Sequence, residues 1–315
     1  MSLDHLTPEE EPVCKLWPRL VQTALVLFLA ITAGVPVRYF LASNSRGIQQ
    51  QIRSLTEQVE QLKQEQAMPS LVLHQYRNSI CYIFGVYQVG FPHQPPMQRT
   101  RISGTGFVVA DGLIATNRHV AEPWYGDPDS ATLFKKGATA KLEKLVAYFP
   151  GSPAPVSLTP AALSTDGDLA VVRMNNPTPF ALRPLPLATE KPNPGELVAV
   201  VGYPMGVLGM MAKAPTPVYA RLAFRHDDQG AATELAALSL IRPSATCGHL
   251  GDVVGDKLIY DAPTAHGASG GPVFNSRGEV IGVNAAYIDG FSGGTLGVSS
   301  QALRPLIEQA QKKTL

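Results

Sequence analysis

The stretch DAPTAHGASGGPVFN, residues 261–275, decides how this sequence is interpreted. It places Gly267, Gly270 and Gly271 around Ser269, and Pro272 follows directly. Glycine permits sharp turns and a close approach of the backbone to another group. The segment is either an ordinary surface turn or a loop in which a serine nucleophile lies beside backbone N–H groups that bind an oxyanion. The rest of the chain distinguishes these two interpretations.

The composition argues against several classes of protein. The 315 residues carry a formal net charge of +1 and no basic stripe, so nothing indicates a nucleic-acid-binding surface. The three cysteines are too few for a disulfide framework, and no CxxC pair or His/Cys cluster with metal-ligand spacing occurs. No metal site is therefore indicated, and the serine chemistry described below requires no metal or organic cofactor. Cys81 and Cys247 either form one bridge or remain two unpaired thiols.

The N-terminal part predicts a membrane anchor. Residues 20–37 contain no charged side chain, and a helix of this length spans roughly 27 Å, close to the thickness of the hydrocarbon core of a bilayer. We predict an N-terminal tail over 1–19 and a single transmembrane helix over 20–41, with the lipid bilayer as a partner. A cleaved signal peptide is the alternative, but acidic residues precede the segment and no clear A-x-A cleavage site follows it.

Residues 44–67 are predicted to form a short coiled-coil stalk. Apolar residues recur there at alternating spacings of 4 and 3, which makes a heptad seam of Ile48, Ile52, Leu55, Val59 and Leu62. The seam favours a two-stranded homo-oligomer, and a solitary amphipathic helix is the alternative. Pro69 is predicted to end the helix.

From residue 75 onwards the pattern is typical of an all-β protein. Short β-branched runs such as GTGFVVADGLIATNRHV (104–120) are bounded by turn residues, and Asp111-Gly112 and Arg277-Gly278 indicate hairpin turns. No helical pattern separates these runs until the last 15 residues, where a closing helix is predicted over about 300–313. The sheet is therefore expected to be antiparallel, in a sandwich or a barrel.

Three side chains in this part carry a recognisable chemistry. His119, Asp168 and Ser269 each lie at the edge of a predicted strand. A serine hydroxyl becomes a good nucleophile when an imidazole takes its proton, and the imidazole needs a carboxylate to fix its tautomer. Asp166 competes with Asp168 for the carboxylate role, but Asp168 lies directly beside the apolar run LAVV. His266 is close to Ser269 in sequence and is expected to line the loop only.

Together these segments resemble the trypsin-like (chymotrypsin-fold) serine proteases, most closely the Deg/HtrA branch. SGTGFVVADGLIATNRHV resembles the histidine segment of that family, GDLAVVRM its aspartate segment, and YDAPTAHGASGGPVFNSRGEVIGVN its serine segment. The resemblance covers about residues 75–305. It implies two antiparallel six-stranded β-barrels, over about 75–187 and 190–300, and a protease domain over 75–315. It also implies catalytic roles for His119, Asp168 and Ser269.

The same resemblance implies an oxyanion hole and a substrate pocket. The oxyanion hole would consist of the N–H groups of Gly267 and Ser269. Pro263 occupies the position that would form the base of the pocket, and no aspartate is present there to receive Lys or Arg. The pocket is expected to have small and apolar walls, from residues 282–286 and 296–300, and hence to prefer small or medium aliphatic residues before the cleaved bond. The expected lining is Pro263, Val283, Asn284, Ala285 and Gly297.

The function expected from the sequence is thus that of a membrane-anchored serine endopeptidase acting on proteins or peptides. A catalytically silent binding or scaffold protein with the same fold is the alternative. Deg/HtrA proteases usually carry PDZ domains after the catalytic domain, and none is expected here because the chain ends at Leu315. By analogy with the family, the catalytic domain is expected in the periplasm or another extracytoplasmic space. The family resemblance favours a trimer, whereas the stalk favours a dimer.

Overall fold

The computed structural model describes residues 17–95, 98–176, 178, 180–225, 227–287 and 294–312. Its contacts divide the chain into two units, one ending at Lys63 and the other spanning Gln64–Leu315. The strands are β1 Ile80–Gly90, β2 Gln98–Ala110, β3 Leu113–Thr116, β4 Thr139–Tyr148, β5 Val156–Leu163, β6 Ala170–Met174, β7 Leu197–Gly202, β8 Ser244–Val254, β9 Lys257–Tyr260, β10 Pro272–Phe274, β11 Val280–Tyr287 and β12 Thr295–Ser299. The helices are α1 Trp17–Tyr76, α2 Arg118–Ala121, α3 Pro128–Lys135, α4 Gly206–Ala212, α5 Thr216–Ala223, α6 Asp228–Ala237 and α7 Leu303–Lys312, with 3₁₀ turns at Arg77–Ser79 and Ser300–Ala302.

The first six strands close into an antiparallel barrel in the order β1-β2-β3-β6-β5-β4. Alternating side chains fill its interior, among them Ile83, Val108, Ile114 and Val172, which are all buried. Asp111 and Gly112 form the β2–β3 hairpin turn as predicted, and Gly112 has a φ of 67° that favours glycine.

The last six strands close into a second antiparallel barrel in the order β10-β11-β12-β9-β8-β7. Its interior contains Val198, Leu250, Leu258, Tyr260 and Ile281, which are all buried. The turn after β10 contains Gly278 at a φ of 73°, as the Arg277-Gly278 pair predicts. The prediction of two antiparallel six-stranded barrels is therefore confirmed.

A third buried cluster joins the two barrels. Tyr82 of β1 lies with its ring centroid 6.0 Å from that of Tyr148 in β4 and 5.8 Å from that of Tyr203, which follows β7. Phe107 and Phe274, one from each barrel, are fully buried in the same cluster. Large apolar side chains from both barrels are thus removed from water together, which fixes the barrels against each other.

The predicted absence of helices between the strands is wrong. Helices α4, α5 and α6 form an insert of residues 206–237 between β7 and β8. None of them is longer than ten residues, and each is short for a helix that is stable in isolation. Tertiary packing stabilises them instead, because Met210, Ala232 and Leu235 are buried in the cluster between the barrels.

The prediction that Pro69 ends the stalk helix is also wrong, because α1 continues to Tyr76. Met68, Val72 and Tyr76 are each only 3% exposed and belong to the cluster between the barrels. The ring of Tyr76 stacks on Phe274 with centroids 5.5 Å apart. The burial of this face offsets the backbone hydrogen bond that a proline inside a helix removes.

The structure of the N-terminal unit does not support the membrane anchor that the sequence predicts. Residues 20–41 are helical as part of α1. Among the residues described, however, no helix has a stretch that is both long and apolar enough to cross a bilayer, so the predicted transmembrane helix is not supported. Residues 44–67 are helical, and the seam side chains from Ile48 to Leu62 are 47–59% exposed. The predicted N-terminal tail lies mostly outside the described residues.

Candidate active site

His119 and Asp168 are held together at adjacent ends of β3 and β6. These strands pair with Thr116 opposite Ala170, so the residues that follow β3 and precede β6 meet at one edge of the first barrel. The Nδ1 atom of His119 lies 2.7 Å from Oδ2 of Asp168, and the backbone N–H of His119 donates to Oδ1 of the same carboxylate at 3.0 Å. A carboxylate bonded in this way fixes which imidazole nitrogen carries the proton.

The choice between the two candidate aspartates follows from their contacts. Asp166 is exposed, and its Oδ1 accepts a hydrogen bond from the hydroxyl of Thr165. Asp168 is half-buried and contacts His119. Asn117 fixes the backbone at this point, because its side-chain amide donates to the carbonyl oxygen of Asp168 at 2.7 Å. Asn117 itself is completely buried.

Glycine is required in the loop around Ser269 by the close approach of neighbouring backbone. Gly267 has a φ of 90°, and a Cβ atom there would lie 2.6 Å from the carbonyl oxygen of Tyr203. Gly270 has a φ of 89°, and a Cβ atom there would lie 2.1 Å from the carbonyl oxygen of Thr105. Any other residue at either position would combine an unfavourable φ with a steric clash.

Thr105, in β2 of the first barrel, makes four hydrogen bonds, and two of them go to this loop. Its hydroxyl donates to the carbonyl of Gly267 at 2.7 Å and accepts from the N–H of Tyr203 at 3.0 Å. Its backbone N–H donates to the carbonyl of Ser269 at 2.8 Å. Its carbonyl accepts from the hydroxyl of Thr116 at 2.7 Å. Thr105 is fully buried and therefore fixes the Ser269 loop against the barrel that carries His119.

The backbone N–H groups of Gly267 and Ser269 donate no hydrogen bond within the described part of the chain. Buried or half-buried backbone N–H groups are normally paired, so two unpaired donors in one tight loop are unusual. These two N–H groups therefore have no acceptor among the described residues.

The hydroxyl of Ser269 donates to the carbonyl oxygen of Ala285 at 3.0 Å. No hydrogen bond joins Ser269 to His119 among the residues described. His119 and Asp168 therefore lie at the first barrel and Ser269 in a loop of the second, and Thr105 connects the two, but the serine hydroxyl has a different acceptor. His266 is exposed, and its carbonyl oxygen accepts from the N–H of Met205, which precedes the helical insert, at 2.6 Å.

The five residues predicted to form the pocket occupy different environments. Pro263 is exposed, and Ala285 is half-buried with its carbonyl bound to Ser269. Val283 is fully buried in the cluster between the barrels. Asn284 is 1% exposed, and its side-chain amide donates to the carbonyl of Ala268 at 3.0 Å, so it supports the Ser269 loop.

Tyr260 is a residue of this region that the sequence did not indicate. It is fully buried, and its hydroxyl donates to Oδ1 of Asn284 at 2.7 Å. Burial raises the pKa of Tyr260 well above its usual range, so the hydroxyl remains a donor. Its ring lies against Gly297, where a Cβ atom would come within 3.1 Å of the ring. Glycine at 297 therefore makes room for this aromatic ring.

The structure contains no disulfide bond between Cys81 and Cys247. Cys81 is buried, Cys247 is exposed, and both are unpaired, which decides the choice that the sequence left open. Within the part of the chain that the structure describes, no three His, Cys, Asp or Glu side chains are grouped as metal ligands.

Comparison with known proteins gives a consistent picture. Residues 104–283, more than half of the chain, match the family described as "Trypsin-like peptidase domain". A "Probable periplasmic serine endoprotease DegP-like" of Brucella suis is 27% identical over 225 residues, which cover 70% of this chain and 35% of that protein. "Serine protease HTRA2, mitochondrial" of Bos taurus is 27% identical over 212 residues, covering 67% and 37%. The chain thus spans about a third of the length of these relatives.

Among solved structures, the active form of the Rv3671c protease from M. tuberculosis has a similar fold. The TM-score is 0.50 at 17% sequence identity, with 78% of this chain and 86% of that chain covered. At this level of identity the likeness concerns the fold alone. It agrees with the two closed barrels described above.

Proposed function

We propose that this chain, which belongs to the trypsin-like peptidase domain family, is a serine endopeptidase that hydrolyses peptide bonds in proteins or peptides. One relative is named a DegP-like serine endoprotease, and another is named a serine protease, HTRA2. The observation that carries the proposal is the 2.7 Å hydrogen bond between His119 and Asp168. Thr105 binds the Ser269 loop to the barrel that carries this pair.

In the proposed mechanism, His119 acts as the general base for Ser269. Asp168 holds the proton on Nδ1 of His119, which leaves the other ring nitrogen free to accept the proton of the serine hydroxyl. The hydroxyl oxygen attacks the peptide carbonyl, and His119 then returns the proton to the departing amine. Water repeats the sequence on the acyl-enzyme and releases the acid.

The N–H groups of Gly267 and Ser269 are proposed to bind the oxygen that becomes negative in the tetrahedral intermediate. Support comes from their lack of a partner within the described residues and from the glycine-dependent geometry of the loop. The loss of one donor of this type typically slows catalysis on the order of 10²–10³-fold. No metal or organic cofactor takes part in this proposal.

A second function is favoured by one observation, the hydrogen bond from Ser269 to the carbonyl of Ala285. If that bond persists when substrate is present, the protein is a catalytically silent binding or scaffold protein with the protease fold. In the enzyme, the hydroxyl rotates about χ1 from Ala285 towards His119 before it reacts.

The substrate preference proposed here is for small or medium aliphatic residues before the cleaved bond. None of the five pocket residues is acidic, and Tyr260 places a neutral hydroxyl beside Asn284. A positively charged side chain without a counter-charge is costly to bury. A panel of peptides that differ only at this residue tests the proposal, and faster cleavage after Arg or Lys would contradict it.

The compartment and the assembly are also proposals. The catalytic domain is proposed to be extracytoplasmic, because the Brucella relative is named periplasmic. The exposed seam from Ile48 to Leu62 is proposed to join copies of the chain into a homo-oligomer.

A fluorophosphonate probe, which reacts covalently with activated serine hydroxyls, tests the enzyme against the silent protein. We expect labelling of the natural chain, none of Ser269→Ala, and strongly reduced labelling of His119→Ala. Ser300→Ala is the matched control, since Ser300 is a buried serine outside the site, and it should label normally. An unlabelled, folded natural chain would favour the silent protein.

A further inference from the structure

The unit that spans Gln64–Leu315 contains a cavity that none of the proposed site residues lines. It has a volume of about 670 Å³ and is bounded by the end of α1, the turn between β4 and β5, and the segment that links α6 to β8. None of the residues that line it is acidic. Its volume is within the range of about 300–1,000 Å³ that is typical of small-molecule sites.

Six polar side chains line this cavity, and none has a hydrogen bond or ion pair with another described residue: Ser70, His74, Arg77, Asn78, Ser239 and Arg242. All six carry hydrogen-bond donors, or do so when protonated. A set of donors that face one space without an internal acceptor is complementary to an anion.

The two arginines stand out from the others in this unit. Each of the remaining arginines in the described residues from 64 to 312 contacts a carboxylate, a backbone carbonyl or an aromatic ring through its guanidinium group. Arg77 and Arg242 make no such contact, and both line the same cavity. Guanidinium groups bind carboxylate and phosphate through paired hydrogen bonds, so two of them without partners indicate an oxyanion ligand.

A simpler explanation covers only part of this arrangement. His74 and Arg77 lie at the C-terminal end of α1, where positive charge is favourable because of the helix dipole. Arg242 lies after α6, directly after the buried Ile241, and the dipole of α1 does not account for its position. Lys213 lies next to this segment, and its Nζ donates to the backbone carbonyl of Arg242 at 2.7 Å. Burial, and secondly the charge of Arg242, lower the pKa of Lys213.

The cavity also has an apolar side. Leu73, Phe180 and Ile241 line it, and Ile241 is 1% exposed. Contact with these side chains favours a ligand that has an apolar group next to its charged one. We propose that this cavity binds an amphiphilic anion, a carboxylate or phosphate carried by an aliphatic group, with Arg77 and Arg242 contacting the charged end. The proposal is independent of the peptidase activity proposed above.

Calorimetric titration of the full chain tests this proposal with four probes. Hexyl phosphate and hexanoate should bind, inorganic phosphate should bind more weakly than hexyl phosphate, and hexanol should not bind. Binding of hexyl phosphate by the double variant Arg77→Gln/Arg242→Gln should be weaker by about ten-fold or more, because two charge-assisted contacts are lost. Arg99→Gln is the control, since Arg99 is exposed and is paired with Glu143 away from the cavity.

Three results would overturn the proposal. The first is that neither hexyl phosphate nor hexanoate binds, and the second is that hexanol binds as tightly as the two hexyl anions. The third is that the double variant binds hexyl phosphate as tightly as the natural chain does. Circular dichroism of the double variant confirms that it is folded, which is expected because both arginines are exposed. Equal affinity for inorganic and hexyl phosphate would refute the role of the apolar side.

Discussion

Thr105 is the residue on which the geometry of the site depends most. Its hydroxyl connects Gly267 with Tyr203, and these contacts span 162 and 98 residues of sequence. The sequence predicts a strand at Thr105 but gives no signal for these bonds, because a hydrogen bond between distant segments leaves no local pattern. The same is true of Tyr260 and Asn117. In contrast, the sequence predicts roles for His119, Asp168 and Ser269 because their flanking segments are distinctive.

Replacing Thr105 with valine tests its role in positioning the loop. Valine keeps the shape but removes the hydroxyl, so Gly267 O and Tyr203 N–H are left buried without a partner. We expect a loss of about 1–3 kcal/mol of unfolding free energy per unpaired group. Turnover should fall by about 10- to 100-fold because the loop shifts. Denaturant unfolding and peptidase kinetics measure the two effects.

Two further variants make this test specific. Thr105→Ser keeps the hydroxyl and should retain most of the turnover. Thr159→Val removes an exposed hydroxyl bonded to Asn175 and should change neither quantity. Full turnover in Thr105→Val would show that the loop does not depend on this residue.

Cys81 and Cys247 should differ sharply in their reactivity towards thiol reagents. The thiolate is the reactive form of a thiol. Burial raises the pKa of Cys81 far above its usual range, so its thiolate is scarcely populated in the folded protein, whereas Cys247 is exposed. In a Cys14→Ser background, a thiol reagent at pH 8 should modify one cysteine quickly and the second only after unfolding. Rapid modification of two thiols in the folded protein would contradict this account.

At the scale of elements, the strands could be predicted and the inserted helices could not. Short β-branched runs between turn residues are a strong local signal, and Gly112 and Gly278 occupy the turns where the sequence places them. Helices α4 to α6 have only seven to ten residues each and include Gly206, Gly209 and Gly230. Their stability comes from burial against the barrels, and this information is not contained in the local sequence.

The continuation of α1 through Pro69 gives a second test at this scale. Proline inside a helix removes one backbone hydrogen bond and costs about 3 kcal/mol relative to alanine. Pro69→Ala should therefore raise the free energy of unfolding by about 1–3 kcal/mol, measured by urea denaturation. If α1 instead ended before residue 69 and a separate helix began there, the substitution would leave stability unchanged or reduce it, because proline is favourable in a first helical turn.

At the scale of the molecule, assembly is expected to depend on the seam in α1. Aspartate at Leu55 and Leu62 would place charges where the proposed helices meet, so the double variant Leu55→Asp/Leu62→Asp should be monomeric and the natural chain oligomeric. Light scattering after size-exclusion chromatography measures the mass of each. Gln58→Asp/Gln61→Asp, which adds the same charge outside the seam, is the control. Equal masses for the natural chain and the seam variant would exclude the stalk as the interface.

The two barrels are proposed to contribute different parts of one catalytic site. The first supplies His119 and Asp168, the second supplies Ser269 and the N–H groups of its loop, and the cluster around Tyr82 and Tyr203 fixes one barrel against the other. A crystal structure of the chain after reaction with a fluorophosphonate tests this claim most directly. The account predicts phosphorus bonded to Ser269 Oγ, one phosphonyl oxygen within hydrogen-bond distance of the N–H groups of Gly267 and Ser269, and His119 beside Oγ. An adduct on another residue, or a phosphonyl oxygen that contacts neither N–H group, would contradict it.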